Sequence, residues 1–375
     1  MLRFVRFIPV VLILAPLAMS PALAQSGSAA RPPENVLLVS DLGKLYYVGS
    51  FSSVQDLSTH SGICGALGLV GGDPILLSEV VGKASPSRCE GAVDVILGIR
   101  DFGPDERLSG PFKITTDSNG RIIVADRGTI HIFDFARRRH SGIAYGPGER
   151  VQSPAGLAVD RHDKLYITDA QLGAILVYQP NGKFLRYIGN RKGERLFERP
   201  AGIAVDQESG HIYVADPPRN IVVMLDADGN ILAKIGTGTS GSSAEEFAAP
   251  TDVVVRGEEL FVLDAQNRRI QVFDLAGHFR ASIHPASMGP SVAFSVDRQG
   301  RIYLDGPLDT VQVFQRDGHL VSRFGCTGTG YGQFGMLSGI WIDSSDRIYI
   351  ADTGNNRVQS FQWRLPGTPL KVNDS

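Results

Sequence analysis

The sequence lacks an excess of charge of either sign. Among 375 residues, 37 are Lys or Arg and 39 are Asp or Glu, for a net charge of −2. A nucleic-acid binder normally shows a strong basic excess, so that class is excluded. Cysteine is scarce as well. Three residues, Cys64, Cys89 and Cys326, are too few for a disulfide scaffold. None belongs to a Cys-x-x-Cys pair and none has a His at zinc-finger spacing, which removes a structural zinc site of that kind. There is no Gly-x-Ser-x-Gly elbow and no phosphate loop. The Gly-rich stretch from Gly325 to Gly335 precedes a strand pattern rather than a helix, so it does not offer a helix N-terminus to an anion. After the first two dozen residues, no segment is apolar enough to span a membrane.

What is present begins with a targeting pattern. Arg3 and Arg6 form a short basic region, and Ile8 to Met19 is apolar apart from Pro9 and Pro16. Ala22-Leu23-Ala24 then places small residues where a signal peptidase reads them, so cleavage before Gln25 is expected. The apolar run is short for a span, which needs about 20 residues. The mature chain is expected in the periplasm or outside the cell, without a membrane span. Residues 25–92 read as a polar leader followed by an irregular extension with one strand, Lys44 to Phe51. In an oxidising compartment Cys64 and Cys89 are expected to form a disulfide, which leaves Cys326 over.

Glycine is abundant, at 43 residues, as many tight turns require. From residue 93 to 364 the chain repeats itself. Asp126, Asp169, Asp216, Asp264, Asp305 and Asp352 each end a short apolar run, such as RIIVAD, KLYITD or RIYIAD, and they recur every 41 to 48 residues. Each is preceded by a run such as AGLAVD or SGIWID and followed by one such as IQVFD. Asn181-Gly182, Asp228-Gly229, Ala276-Gly277 and Asp317-Gly318 then turn the chain into a fourth run. A period in the forties built of four short strands is the signature of a propeller blade. The expected fold is all-β: a six-bladed β-propeller of four-stranded antiparallel blades, closed by an N-terminal strand. The sixth copy stops after its third strand. Val93 to Arg100 resembles the fourth strands elsewhere and leads into a similar Gly-containing loop, so it is expected to pair with Val358 to Gln362 and close the ring. Residues 365–375 form a tail.

SPAGLAVD with LYITD (Ser153 to Asp169), RPAGIAVD with HIYVAD (Arg199 to Asp216) and GIWIDSSDRIYIADTGNNRVQSF (Gly339 to Phe361) resemble the NHL-repeat family of β-propellers, in its six-bladed exported bacterial form. The loop GTGYGQFG fits the same family. The resemblance implies the fold and is nearly silent on activity, because this fold carries binding modules and enzymes alike. Copies four and five depart from the pattern: Arg256 replaces the first-strand Asp, and the second strand of copy five is one residue short. Distortion of those two blades is expected.

A residue repeated in every blade serves the blade, so the strand-ending aspartates and the pairs Asn267-Arg268 and Asn356-Arg357 read as turn locks. A functional site should break the repeat. The position that the pattern gives to Gly, where first strands crowd the axis, holds Lys113, Gly156, Gly202, Asp252, Ala293 and Gly339. Lys113 and Asp252 therefore face each other across the ring, as a charge pair or as a ligand clamp at the channel mouth. Arg137, Arg138 and Arg139 in one loop, and Arg191, Lys192 and Arg195 in another, are candidates for contact with an acidic partner. No catalytic residue, metal ligand or cofactor is assigned. No three of the eight histidines fall at one level of the ring, as a zinc site would need. The sequence points to a monomeric, non-catalytic binding or scaffold protein of the cell envelope that recognises a protein, peptide or glycan. The alternative is a hydrolase or lyase resembling propeller lactonases or amidating lyases.

Overall fold

The computed structural model describes residues 36–40, 43–51 and 108–364, apart from 192–193, 286–287, 290 and 331. Six antiparallel sheets follow one another along the chain. Blade one runs Lys113–Thr116, Ile122–Asp126, Thr129–Asp134 and Arg139–Ala144; blade two begins at Pro154–Val159 and ends with Phe184–Ile188. Blade three spans Ile203–Val205 to Ile231–Ile235, blade four Pro250–Arg256 to Phe279–Ile283, and blade five Phe294–Val296 to Leu320–Phe324. In blade six, Leu337–Ile342, Arg347–Asp352 and Arg357–Arg364 are joined by Gly43–Phe51. The first strand of every blade touches the first strand of the next, and that of blade six touches that of blade one, so the ring is closed.

The strands alternate because neighbouring blades need a dry face on each side. In blades two and three every residue of the second and third strands is buried. Their side chains point alternately to the two faces and enter different clusters. Ile175 and Val177 pack between blades two and three, while Leu176 and Tyr178 pack between blades one and two. Fourth strands are half exposed, as edge strands are. Gly182, Gly229, Gly277 and Gly318 hold positive φ in the turns before them, which is why the sequence places Gly there.

Closure differs from the sequence expectation. The partner of Val358 to Gln362 is Gly43–Phe51, with Phe51 opposite Val358, Tyr47 opposite Phe361 and Tyr46 opposite Gln362. Val36–Ser40 adds a fifth strand outside it. Residues 93–100 lie outside the described residues, as do Cys64 and Cys89, and the place assigned to 93–100 is taken. An edge position asks only for alternation over a few residues, which both segments supply. Blades four and five each keep four paired strands, with a shortened first turn in blade four and Asp305 one register position before the place of Asp264 and Asp352 in blade five.

Candidate functional site

The strand-ending aspartates are built into the fold. Each is buried or nearly so and accepts N–H groups from the loop that enters its own blade. Asp169 takes Gln152 N and Ser153 N, Asp216 takes Glu198 N and Arg199 N, and Asp305 takes Val292 N and Ala293 N. In blade six, Asp352 also accepts from Asn355 Nδ2 at 2.9 Å and Arg357 Nε at 2.7 Å. In blade four, Asp264 accepts from Asn267 Nδ2 and Arg269 Nε, both at 2.8 Å. The locking residues are thus Asn267 with Arg269 and Asn355 with Arg357. Arg268 and Asn356, read from the sequence as members of those pairs, instead occupy the left-handed bend between them.

The six axial positions come together as the alignment requires. Lys113, Gly156, Asp252 and Gly339 each pair opposite the residue just before the strand-ending Asp. Crowding there is severe. A Cβ on Gly202 would stand 2.0 Å from Asp252 Oδ1 and 2.5 Å from Asp252 Cα, and one on Gly156 would stand 2.6 Å from Ala201 O. Gly202 is therefore what lets Asp252 turn into the channel. There Asp252 Oδ2 accepts from Lys113 Nζ at 2.7 Å. The two side chains are 13% and 21% exposed, so the pair is part-sheltered in the channel mouth. The two charges thus meet directly, at hydrogen-bond distance.

The opposite end of the channel holds a residue whose role the sequence reading missed. In five blades the first strand ends in an Asp that folds the next turn around its own carboxylate: Asp160 takes His162 N and Lys164 N, Asp297 takes Gln299 N and Arg301 N, and Asp343 takes Ser345 N and Arg347 N. Blade four has Arg256 instead. Its turn contracts to Gly257-Glu258, with Arg256 opposite Glu259 and Gly257 at φ +59°, a hairpin that needs no side-chain lock. Freed from the turn, the Arg256 side chain crosses to the neighbouring blades. Nε donates to Val296 O and Nη2 to Ile342 O, each at 2.8 Å. Burial pulls its pKa below the usual guanidinium value, against the nearby carboxylates of Asp346, Asp297 and Asp343. Arg for Asp at a repeat position was visible in the sequence; its reach across the ring was not.

The proposed contact loops do not converge. Arg137 to Arg139 follow a third strand and 190–195 follow a fourth, so the antiparallel alternation puts them at opposite faces of the ring. Arg137 pairs with Asp134 at 3.1 Å, and 190–191 forms a small hairpin with 194–195. Lys192 lies outside the described residues. Cys326 opens a two-residue strand parallel to Gln333–Phe334. Among the described residues, no three His, Cys, Asp or Glu side chains are grouped as metal ligands would be. No helix among them is long and apolar enough to cross a membrane. Two histidines do meet in blade one. His131 Nδ1 and His140 Nε2 are 2.9 Å apart, and His131 Nε2 is 3.5 Å from Asp126 Oδ2. Burial, and then the neighbouring His131, lower the His140 pKa to about 4.

Known proteins agree with this architecture. The chain is 27% identical over 175 residues to mouse NHL repeat-containing protein 3, covering 42% of this chain and 50% of that protein. It is 25% identical over 256 residues to the Drosophila melanogaster peptidyl-alpha-hydroxyglycine alpha-amidating lyase 1, covering 59% and 47%. The chain thus spans about half the length of the curated relatives it matches. Among solved structures, a gluconolactonase from Xanthomonas campestris superposes with a TM-score of 0.53 at 18% identity, over 68% of this chain and 87% of that one. A streptogramin B lyase gives 0.50 at 17%, over 68% and 84%. At such identities these structures speak for the fold alone. The NHL repeat model matches residues 197–220 and 334–361, which fall in blades three and six. The chain thus carries matched NHL repeats in two blades of a six-bladed β-propeller, and its repeat pattern runs through all six.

Proposed function

We propose that this propeller is a non-catalytic binding or scaffold protein, exported to the periplasm or beyond, that recognises a protein, peptide or glycan through its loops and channel mouths. The observation that carries the reading is the Lys113–Asp252 contact at 2.7 Å. The two charges that converge on the channel mouth satisfy each other. The loops of unequal length between blades, 189–199 and 236–249, supply the contact surface, as loops on a rigid scaffold usually do. The rival is a channel enzyme, since a relative over 59% of the chain is named as an amidating lyase.

Elemental analysis and ligand selection on the purified full chain separate the two. The expected result is no stoichiometric Ca²⁺ or Zn²⁺, no turnover of lactones or peptidyl-hydroxyglycine, and a selected ligand whose binding falls when the 236–249 loop is shortened. Stoichiometric metal with turnover would overturn the reading. Export is tested separately by mass spectrometry of protein from the envelope fraction, which should begin at Gln25. Retention of residues 1–24 would refute it.

A further inference from the structure

The shortened turn of blade four leaves a hollow on its face of the ring. Blades three and five keep their longer turns on either side, and the space between them is about 1210 Å³, lined by Arg256, Phe261, Leu275, Glu208, Glu258 and their neighbours. That exceeds the usual 300–1,000 Å³ of a small-molecule pocket. Its charges are unevenly committed. At the walls, Arg316 holds Glu259 through two bonds of 2.5 and 2.7 Å, and Arg280 holds Asp274 at 2.9 Å. Arg298 is turned to Asp346, also at 2.9 Å.

Arg256 is different. Two of its nitrogens donate to neutral carbonyls, and Nη1 donates to no group among the described residues. The carboxylates near it are already occupied. Asp297 serves Gln299 N and Arg301, Asp343 serves Ser345 N and Arg347 N, and Asp346 serves Arg298. A guanidinium fixed through Nε and Nη2, on a residue that lines the cavity, is prepared for an anion, and its planar fork suits a carboxylate. The rim has the opposite sign. Glu208 and Glu258 are exposed, and no ion pair of theirs occurs among the described residues. A phosphate would carry extra negative charge past them. A single carboxylate attached to a cationic body would be favoured at both depths.

Resting on the binding reading above, we propose that the hollow over blade four binds a peptide by its free carboxyl terminus, with the carboxylate on Arg256 and basic residues of the peptide facing Glu208 and Glu258. This face is the one opposite the Lys113–Asp252 mouth.

The test is fluorescence anisotropy of the full chain with three labelled heptapeptides. One carries two lysines and a free C-terminal carboxylate, the second is its C-terminal amide, and the third has glutamates for the lysines. The free acid should bind about tenfold or more tighter than the amide, as expected for one charge-assisted hydrogen bond. Arg256→Met should abolish that difference. Because Arg256 also ties blades four, five and six together, two variants that leave it in place accompany it. Ala276→Trp, at the exposed rim, should block all three peptides. Glu208→Lys with Glu258→Lys should reverse the preference between the lysine and glutamate peptides. Equal binding of acid and amide, no binding of the free acid, or indifference to the two rim variants would overturn the carboxylate site. Those outcomes leave the binding reading standing, since its ligand would then be held elsewhere; metal-dependent turnover is what defeats that reading.

Discussion

Lys113 and Asp252 form an ion pair 2.7 Å long between blades one and four. That Lys113 and Asp252 oppose each other followed from counting positions in the repeat. That they touch depends on Gly202, whose missing Cβ makes the room, and this could be seen only with the blades assembled. Their part-sheltered contact should be worth more than a surface pair and less than a fully buried one. Asp252→Ala is expected to cost about 2–3 kcal/mol and Lys113→Met about 1–2 kcal/mol, with a coupling of about 1–2 kcal/mol in the double variant. Urea unfolding of the four proteins measures the cycle, and purely additive effects would show that the contact contributes nothing. His140 makes a second residue-scale case. Its folded pKa is about 4 and its ordinary value is 6.5. Above pH 6.5 both the folded and the unfolded chain hold it neutral. As pH falls below 6.5 the unfolded chain takes up a proton that the folded chain refuses, so this group's contribution to stability falls until about pH 4 and then levels. Thermal unfolding of wild type and His140→Gln at pH 7, 5.5 and 4 should show the two curves separating across that window. Parallel curves would place the His140 titration elsewhere.

At the scale of strands and turns most of the structure was legible, because each blade repeats the same physical problem. A first strand must be small enough to crowd the axis, the second and third must be apolar on both faces, and the loop entering the blade needs an acceptor for its N–H groups. The aspartates solve the last of these, but not with equal support. Asp352 is fully buried and holds Arg357, Asn355, Gly335 N and Gln359. Asp305 receives only backbone N–H groups and Ser291, and burial pushes its carboxyl above the usual range. Blade five has Thr310 where blades four and six have Arg269 and Arg357, so no cation compensates it. Asp352→Asn should therefore cost about 3 kcal/mol, since it leaves the part-buried Arg357 guanidinium without its carboxylate. Asp305→Asn should change stability by less than about 1 kcal/mol, because an amide oxygen can accept the same N–H groups. Equal losses in chemical denaturation would mean that the arginines add nothing to the lock. Arg256 marks where repeat logic stops. A departure from the pattern tells that a turn has changed, and gives no direction for the side chain it releases.

The whole ring raises the question that the repeat could not answer, namely how its two ends meet. Along the chain the six copies are equivalent, but the last lacks a fourth strand, and any upstream segment of alternating pattern can fill an edge. Residues 93–100 had the closer match in sequence, with a similar loop after them. Gly43–Phe51 has the length to run beside Val358 to Arg364, seven of the eight residues of Arg357–Arg364, and carries a further strand on its outer side. That geometry makes blade six the seam of the molecule. On its inner side the seam is reinforced by Thr353 Oγ1 donating to Pro111 O at 2.6 Å and by Trp341 Nε1 donating to Thr116 Oγ1 at 2.9 Å, both between blades six and one. The outer strand is then the removable part, and the strand against Arg357–Arg364 is the essential one. Removing residues 1–42 should leave a soluble, less stable ring. Removing residues 1–51 should expose the unpaired edge of the eight-residue strand Arg357–Arg364 and give insoluble or molten protein. Cysteines at Gly49 and Ser360, which lie opposite each other, should cross-link within one chain, whereas cysteines at Leu97 and Ser360 should not. If the two truncations behave alike and the second pair cross-links, residues 93–100 hold the seam and Gly43–Phe51 does not.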